Sequence, residues 1–343
     1  MGAFDFVKIF RVNKSISIDL GTANILIYDK QRKKIVLNEP SVVARDRKTG
    51  KLIAVGREAR EMLGKTPDSI QAIKPLQDGV IADIDSTKEM ITYFIHKIYG
   101  NSLFKPEVMI CVPIEVTSVE RKALFDAVKG AKKTYIIEEG RAAIIGSGVD
   151  ISQPEGSMVI DIGGGSTDIA ILSLDEIIAS KSIRIAGNKF DEDIVKYVKR
   201  KYNLLIGDRT AEKIKKELAS AIKYQTPDIM EIKGRDLESG IPNTVEVNAN
   251  EIYEAIEDSL FQIVNSTKEV LEKCPPELAA DILDNGIVMT GGGSLIRNFI
   301  DMMEQEVGIK VFLSPNPLDS VVLGGGAAFD NKKLLRTLQM KEN

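Results

Sequence analysis

One stretch, Met158-Val-Ile-Asp-Ile-Gly-Gly-Gly-Ser-Thr-Asp-Ile-Ala-Ile-Leu172, restricts the fold of this chain more than any other. Two β-branched and aliphatic runs meet at three consecutive glycines, a pattern that predicts a β-hairpin with a tight turn. Gly163, Gly164 and Gly165 carry no Cβ, so their N–H groups are uncovered and the turn can close on a phosphate. Asp161 ends the incoming strand, where a carboxylate can hold Mg²⁺ directly or through water. Ser166 and Thr167 add hydroxyls. Alone, the stretch also reads as an ordinary glycine-rich hairpin.

It has two companions. Ser15-Ile-Ser-Ile-Asp19-Leu-Gly21-Thr22-Ala23-Asn24-Ile-Leu-Ile-Tyr28 repeats the order strand, Asp, Gly, hydroxyl residue, strand. Ile287-Val-Met-Thr290-Gly291-Gly292-Gly293-Ser294 predicts a strand that runs into glycines and then a helix N-terminus, a suitable end for an anion or a polar base edge. Together the three predict two similar halves facing each other across a nucleoside triphosphate. The phosphates lie between the hairpins, with Asp19 and Asp161 near the metal, and the base near the third loop.

This grammar resembles that of the superfamily of actins, sugar kinases and heat-shock chaperone ATPases. Within it the chain is similar to the MreB family of bacterial actins. The residues that carry the likeness are Asp19 to Asn24, Leu37-Asn-Glu-Pro-Ser-Val-Val-Ala44, Asp78-Gly-Val-Ile-Ala-Asp83, Val112-Pro113, Glu138-Glu139, Asp161 to Gly165, Arg209-Thr-Ala-Glu212 and Thr290 to Ser294. They span nearly the whole chain, from about Ser15 to Phe329. The resemblance implies an α/β, actin-like ATPase fold of two similar domains, each with a small inserted subdomain. Residues 1–37, 73–150 and 320–343 would form the first core and 38–72 its small subdomain. Residues 151–187 and 251–319 would form the second core and 188–250 its insertion. ATP and Mg²⁺ are the implied cofactors.

By the same resemblance Glu139 orients the attacking water, with Asp161 and Thr167 as its catalytic companions. Gly21, Thr22, Ala23, Asn24, Gly163, Gly164, Gly165 and Ser166 bind phosphate. Glu212, Lys215 and Lys216 present one helix face to ribose and adenine, and Gly291, Gly292, Gly293 and Ser294 meet the base. Plainer readings stand beside these: a Glu in a first helical turn complements the dipole, and Glu212 with Lys216 is an ordinary i,i+4 pair. The chain departs from the family where Gly140 and Arg141 follow Glu139 in place of the usual Pro, a change that loosens the helix start and brings a cation near Glu139. Ser166 and Asp168 replace the commoner Thr and Glu. Slow or altered hydrolysis is therefore expected, and ATP binding is the firmer expectation.

The bulk properties bound the rest. With 343 residues, 43% of them hydrophobic, the chain can bury substantial cores, and a net charge of −4 gives no basic surface for nucleic acid. Cys111 and Cys274 have no metal or disulfide spacing, and the single histidine, His96, supports no catalytic scheme. Neither a secretory signal nor a membrane-spanning run is present. Phe4 and Phe6 lie in an apolar N-terminal stretch that reads equally as an interfacial anchor or as a segment packed on its own domain. The Leu103-Phe104 pair in a loop before Lys105-Pro106 points to membrane contact, as in the family.

Along the chain, an amphipathic helix is expected over Ser86–Tyr99 and a capping box at Thr117–Glu120. Further helices are expected from Asn188 to Lys201, from Arg209 to Tyr224 with Asp208 as cap, from about Ile252 to Cys274 and across Asp319–Phe329. The tail after Asn331 is expected to fray. The resemblance implies a homopolymer, with paired protofilaments and other cell-shape proteins as partners, at the inner face of the cell membrane. A catalytically weak ATP-binding scaffold is the main alternative. A small-molecule kinase lacks an extra cleft carboxylate motif, and a chaperone ATPase lacks a following substrate domain.

Overall fold

The computed structural model describes residues 14–100 and 105–339. Phe4, Phe6, Leu103 and Phe104 lie outside them. The described residues divide into two compact units, one within 14–100, 105–112, 116–138 and 321–339, the other of 113–115 and 139–320. Residues 139–150, grouped with the first core on sequence grounds, cluster with the second unit.

In the first unit β1 (Ser15–Leu20), β2 (Asn24–Asp29) and β3 (Lys34–Pro40) form an antiparallel meander. The small sheet β5-β4-β6 follows, made of β4 (Val43–Asp46), β5 (Leu52–Val55) and β6 (Ile70–Ile73), with α1 (Arg57–Met62) against it. Strands β7 (Leu76–Gln77) and β8 (Val80–Ile81) pair with each other before α2 (Ile84–Tyr99). Strands β9 (Glu107–Val112) and β10 (Lys133–Glu138) then extend the main sheet in parallel, giving the order β10-β9-β1-β2-β3. Between them α3 (Ser118–Ala127) opens on the expected capping box, Thr117 and Glu120 each bonding the other's backbone. One sheet face carries Ile16, Ile18, Ile25 and Ile27, packed with Met90, Ile91 and Phe94 of α2. Burying such side chains contributes roughly 1.5–3 kcal/mol each.

The second unit repeats that plan. After α4 (Glu139–Gly146), β11 (Ser157–Ile162), β12 (Thr167–Ser173) and β13 (Glu176–Ile183) form an antiparallel meander. Then come α5 (Gly187–Tyr202), β14 (Leu204–Leu205), α6 (Asp208–Leu218), β15 (Ile229–Asp236) and β16 (Pro242–Asn248). The long helix α7 (Ala249–Glu272) and α8 (Pro276–Asn285) lead back to β17 (Ile287–Thr290). Helix α9 (Phe299–Val307) and β18 (Val311–Leu313) complete a main sheet ordered β13-β12-β11-β17-β18. Both main sheets are thus three antiparallel strands extended by two parallel ones, and each unit adds a three-stranded small sheet. That duplication is what the two Asp-Gly hairpins predicted.

The structure corrects four sequence expectations. Helix α6 stops at Leu218 instead of Tyr224, because residues 219–224 are drawn aside: the Ala221 N–H donates to the Arg297 carbonyl and the Tyr224 hydroxyl to Asn298. Asp208 is its first residue and makes no side-chain cap. The third glycine loop opens only a 3₁₀ turn, Gly292–Leu295, and α9 begins after Asn298, which holds a left-handed backbone at φ 61°. The tail does not fray over its described part: after α10 (Ser320–Ala327), α11 (Lys332–Leu338) buries Leu334 and Leu338. Those leucines are four apart, an apolar stripe masked by the charged residues around it.

Candidate functional site

The main sheet of the second unit places Asp161 near the end of β11, opposite Asp168 of β12 and Thr290 of β17. Two glycine loops therefore leave neighbouring strands side by side, where the parallel β11 and β17 end. The sequence-predicted Gly163–Ser166 and Gly291–Ser294 come together here.

The first loop is a closed turn, with the Gly163 N–H donating to the Ser166 carbonyl at 2.9 Å. Its outer side is held by the start of α5: the Gly187 N–H reaches the Gly163 carbonyl at 3.1 Å and the Asn188 N–H the Gly164 carbonyl at 2.7 Å. Thr167 is fully buried, and its hydroxyl donates to the Ile185 carbonyl at 2.6 Å, a bond that braces the turn.

In the second loop the glycines are required by contact. A Cβ on Gly291 would stand 2.3 Å from the Ile162 carbonyl oxygen and 2.7 Å from Asp161 Oδ1, at a φ of 80°. One on Gly293 would meet Ile162 Cγ2 at 2.2 Å. Ser294 is buried, and its hydroxyl closes the turn onto the Gly291 carbonyl at 2.7 Å.

Around these loops the charged residues separate into different tasks. Asp161 is 5% exposed. Asp168 is buried, its Oδ1 accepting the Ile114 N–H at 3.2 Å. Desolvation lifts its carboxyl to about 6 against the pull of Ile114, Ser182 and Ser166, with the Glu115 charge adding to the rise. On α6 the predicted trio divides. Lys216 turns outward to Glu212 at 2.6 Å, the plain i,i+4 pair. Lys215 turns inward, 2.7 Å from the Gly187 carbonyl and 2.9 Å from Asp191. Gly187, Asn188 and Asp191 were not singled out from the sequence. A lone glycine opening a predicted helix was the available signal.

Glu139 is the first residue of α4 and is 8% exposed. The helix forms without proline at its start, and Gly140 lets it lie close, since a Cβ there would sit 3.2 Å from Ala170 Cβ and 3.3 Å from Ile114 Cδ1. Arg141 is buried and reaches Glu176 of β13, Nη2 to Oε2 3.6 Å.

The first unit carries the other hairpin. Asp19 pairs with Leu26 across the turn and with Cys111 of β9. Ser41 holds that turn from behind, its Oγ donating to the Gly21 carbonyl at 2.6 Å and its N–H to the Ala23 carbonyl at 3.0 Å. Thr22 Oγ1 accepts the Gly79 N–H at 3.2 Å, and Asn24 gives its side-chain amide to Asn38 at 3.1 Å.

Within the second unit, Asp161 with the nearby hydroxyl of Ser166 suits a hard cation completed by water and phosphate oxygens, since neither is a soft ligand. No cluster of three or more His, Cys, Asp or Glu is found among the described residues. A nucleotide-bound Mg²⁺ needs only one or two carboxylates.

Comparison with known proteins covers nearly all of the chain. A model of the MreB/Mbl protein family matches residues 13–337. The chain is 50% identical over 321 residues to the cell shape-determining protein Mbl of Bacillus subtilis (strain 168), covering 93% of this chain and 96% of that one. It is 47% identical over 326 residues to the cell shape-determining protein MreB of Escherichia coli (strain K12), covering 93% and 94%. Its structure is similar to that of MreB 5 of Spiroplasma citri bound to AMPPNP, with TM-score 0.88 and 39% identity over 94% of this chain and 98% of that one. The ADP-bound form of the Spiroplasma protein gives the same figures. The MamK double helical filament shares the fold at TM-score 0.79 and 21% identity, covering 93% and 99%.

Proposed function

Because the chain belongs to the MreB/Mbl family, we propose that it is a bacterial actin that binds ATP and polymerises into cytoskeletal filaments that set cell shape. The observation that carries the ATP reading is the pair of glycine loops beside Asp161, in a chain 39% identical to a relative solved with AMPPNP and with ADP.

Within that reading the braced turns do the binding. A trans peptide sets each carbonyl opposite the next N–H. The Gly163 and Gly164 carbonyls are taken by α5, so the N–H groups of Gly164 and Gly165 face away from it and toward an anion. Asp161 would hold Mg²⁺ through water, and Asp19 ends the matching strand of the first unit's own hairpin. Bound Mg²⁺–ATP would supply the γ-phosphoryl group for hydrolysis. Glu139 would orient and polarise the attacking water from the start of α4. The Gly291–Ser294 loop, seated against Ile162, would meet the base.

The filament would work at the inner face of the membrane, with copies of this chain as its first partner. Among the described residues no helix is long and apolar enough to cross a membrane. Contact with lipid would come from Leu103-Phe104 and the N-terminal Phe4 and Phe6.

Sedimentation over a concentration series, with and without ATP–Mg²⁺, tests the proposal. Pelleting above a threshold concentration that ATP shifts is the expected result. Protein that stays in solution at every concentration overturns the polymer reading. Wild type that binds ATP yet releases no more phosphate than background, as Glu139→Ala does, replaces the ATPase by the scaffold alternative.

A further inference from the structure

Lys215 is the unexpected member of the trio on α6. A lysine that met a base or ribose would hold its ammonium open, whereas this side chain is only 15% exposed and already has two partners. Its ammonium joins the carbonyl of Gly187 at 2.7 Å to the carboxylate of Asp191 at 2.9 Å, both in the first turns of α5. That same end of α5 donates the Gly187 and Asn188 N–H groups to the glycine turn. The approach is close: a Cβ on Gly187 would lie 3.3 Å from the Gly163 carbonyl oxygen, 3.4 Å from Lys215 Nζ and 3.6 Å from Gly164 Cα. One chain of contacts thus runs from α6 through Lys215 and Gly187 to the turn.

We propose that Lys215 is a positioning residue, which holds Gly163–Gly165 in their phosphate-receiving shape through the first turn of α5, with Asp191 as its obligate partner. This rests on the nucleotide reading above and names a different task for one residue of it. The ammonium fixes where α5 begins. The beginning of α5 fixes the two carbonyls, and the carbonyls fix which way the Gly164 and Gly165 N–H groups point. Asp191 neutralises the lysine, so the brace adds no charge of its own to the anion site. The charge-assisted bond to the Gly187 carbonyl is of the strong kind, and removing Lys215 or Asp191 breaks an ion pair between two side chains that are each only 15% exposed.

The test compares full-length wild type with Lys215→Met, Lys215→Arg, Asp191→Asn and the Lys215→Met/Asp191→Asn pair. Affinity for ATP–Mg²⁺ is measured by calorimetry, and hydrogen exchange of the Gly187 and Asn188 amides in nucleotide-free protein. In the expected outcome Lys215→Met and Asp191→Asn each weaken ATP binding about ten-fold or more. The double variant is then no worse than the weaker single one, Lys215→Arg recovers part of the loss, and the two amides exchange faster in both single variants. Asp191→Asn is near-isosteric, so the comparison survives a poorly folding Lys215→Met. If Lys215→Met weakens ATP binding while Asp191→Asn leaves both binding and exchange unchanged, Lys215 is a direct ligand and the proposal is overturned. Wild type that binds no ATP overturns the nucleotide reading and this inference with it, whereas a wild type that binds ATP, beside single variants whose amides exchange no faster, overturns the inference alone.

Discussion

Replacing Asp168 by Asn should change how stability depends on pH, by an amount that follows from burial. Asp168 lies opposite Asp161 with its Oδ1 on the Ile114 N–H. Burial outweighs this bond and the Ser182 and Ser166 hydroxyls, and the folded carboxyl titrates at about 6. An unfolded Asp titrates at about 3.9. The folded chain therefore holds this proton more tightly than the unfolded chain does. The stabilising contribution is complete below about pH 3.9 and is lost as pH rises through about 6. Between about pH 4.5 and about pH 7.5 the loss amounts to roughly 2 kcal/mol, since each tenfold difference in proton affinity is worth about 1.4 kcal/mol. Asparagine keeps the shape and the acceptor for Ile114 but does not titrate. Urea denaturation of nucleotide-free wild type and Asp168→Asn across that range should give curves whose difference opens with pH, the variant gaining roughly 2 kcal/mol relative to wild type by about pH 7.5. Parallel curves would mean that Asp168 is solvated in the folded chain, and the reasoning from burial would be refuted.

Two further expectations concern loop packing and the ion pair at the start of α7. Gly293→Ala places a methyl 2.2 Å from Ile162 Cγ2 and should cost roughly 1–3 kcal/mol, read as a lower denaturation midpoint; an unmoved midpoint would show that the loop is loose. At the start of α7 burial pushes the Glu251 carboxyl up. Lys201, Tyr202 and the Asn248 N–H outweigh burial and hold it below the usual carboxylate range. Its contribution is therefore present above about pH 4.3 and lost as pH falls through the lowered value. Glu251→Gln should cost about 1–2 kcal/mol near neutrality and progressively less in acid, checked by thermal melting at several pH values. A cost that did not shrink in acid would remove the ion pair from the explanation.

The duplication of the fold was legible because it rests on short-range chemistry. Asp19-Leu-Gly21 and Asp161-Ile-Gly163 each end one strand and turn the chain into the next, so the sequence displays the hairpin itself. The long helices were legible through their apolar spacing, as in Met90, Ile91 and Phe94. What stayed hidden depends on partners distant in sequence. Nothing local distinguishes Lys215 from Lys216, yet one is drawn inward by a carbonyl and a carboxylate on α5 while the other faces solvent. Helical pattern carries on past Leu218, and only the pairing of residues 219–224 with Arg297 and Asn298 ends the helix there. The glycines of 291–293 read as a helix start, whereas their lack of Cβ serves the approach to Ile162 and Asp161.

The two hairpins solve one problem with different chemistry, and that difference is itself testable. An outward row of N–H groups requires the carbonyls behind it to be held, or the peptides turn over. In the second unit backbone N–H groups of α5 hold them, so a side-chain change acts only indirectly through Lys215. In the first unit the Gly21 carbonyl is held by a hydroxyl, that of fully buried Ser41, at 2.6 Å. Ser41→Ala removes that donor and leaves the Ser41 N–H on Ala23. Loss of one such bond costs about 1 kcal/mol, enough for a several-fold weaker affinity for ATP–Mg²⁺ if the turn's shape is what binds. Ser41→Thr keeps the hydroxyl and should restore binding wherever its extra methyl is accommodated. A Ser41→Ala protein with a lowered melting temperature but wild-type affinity would show that Ser41 supports the sheet alone, and that the first hairpin does not need its carbonyls held.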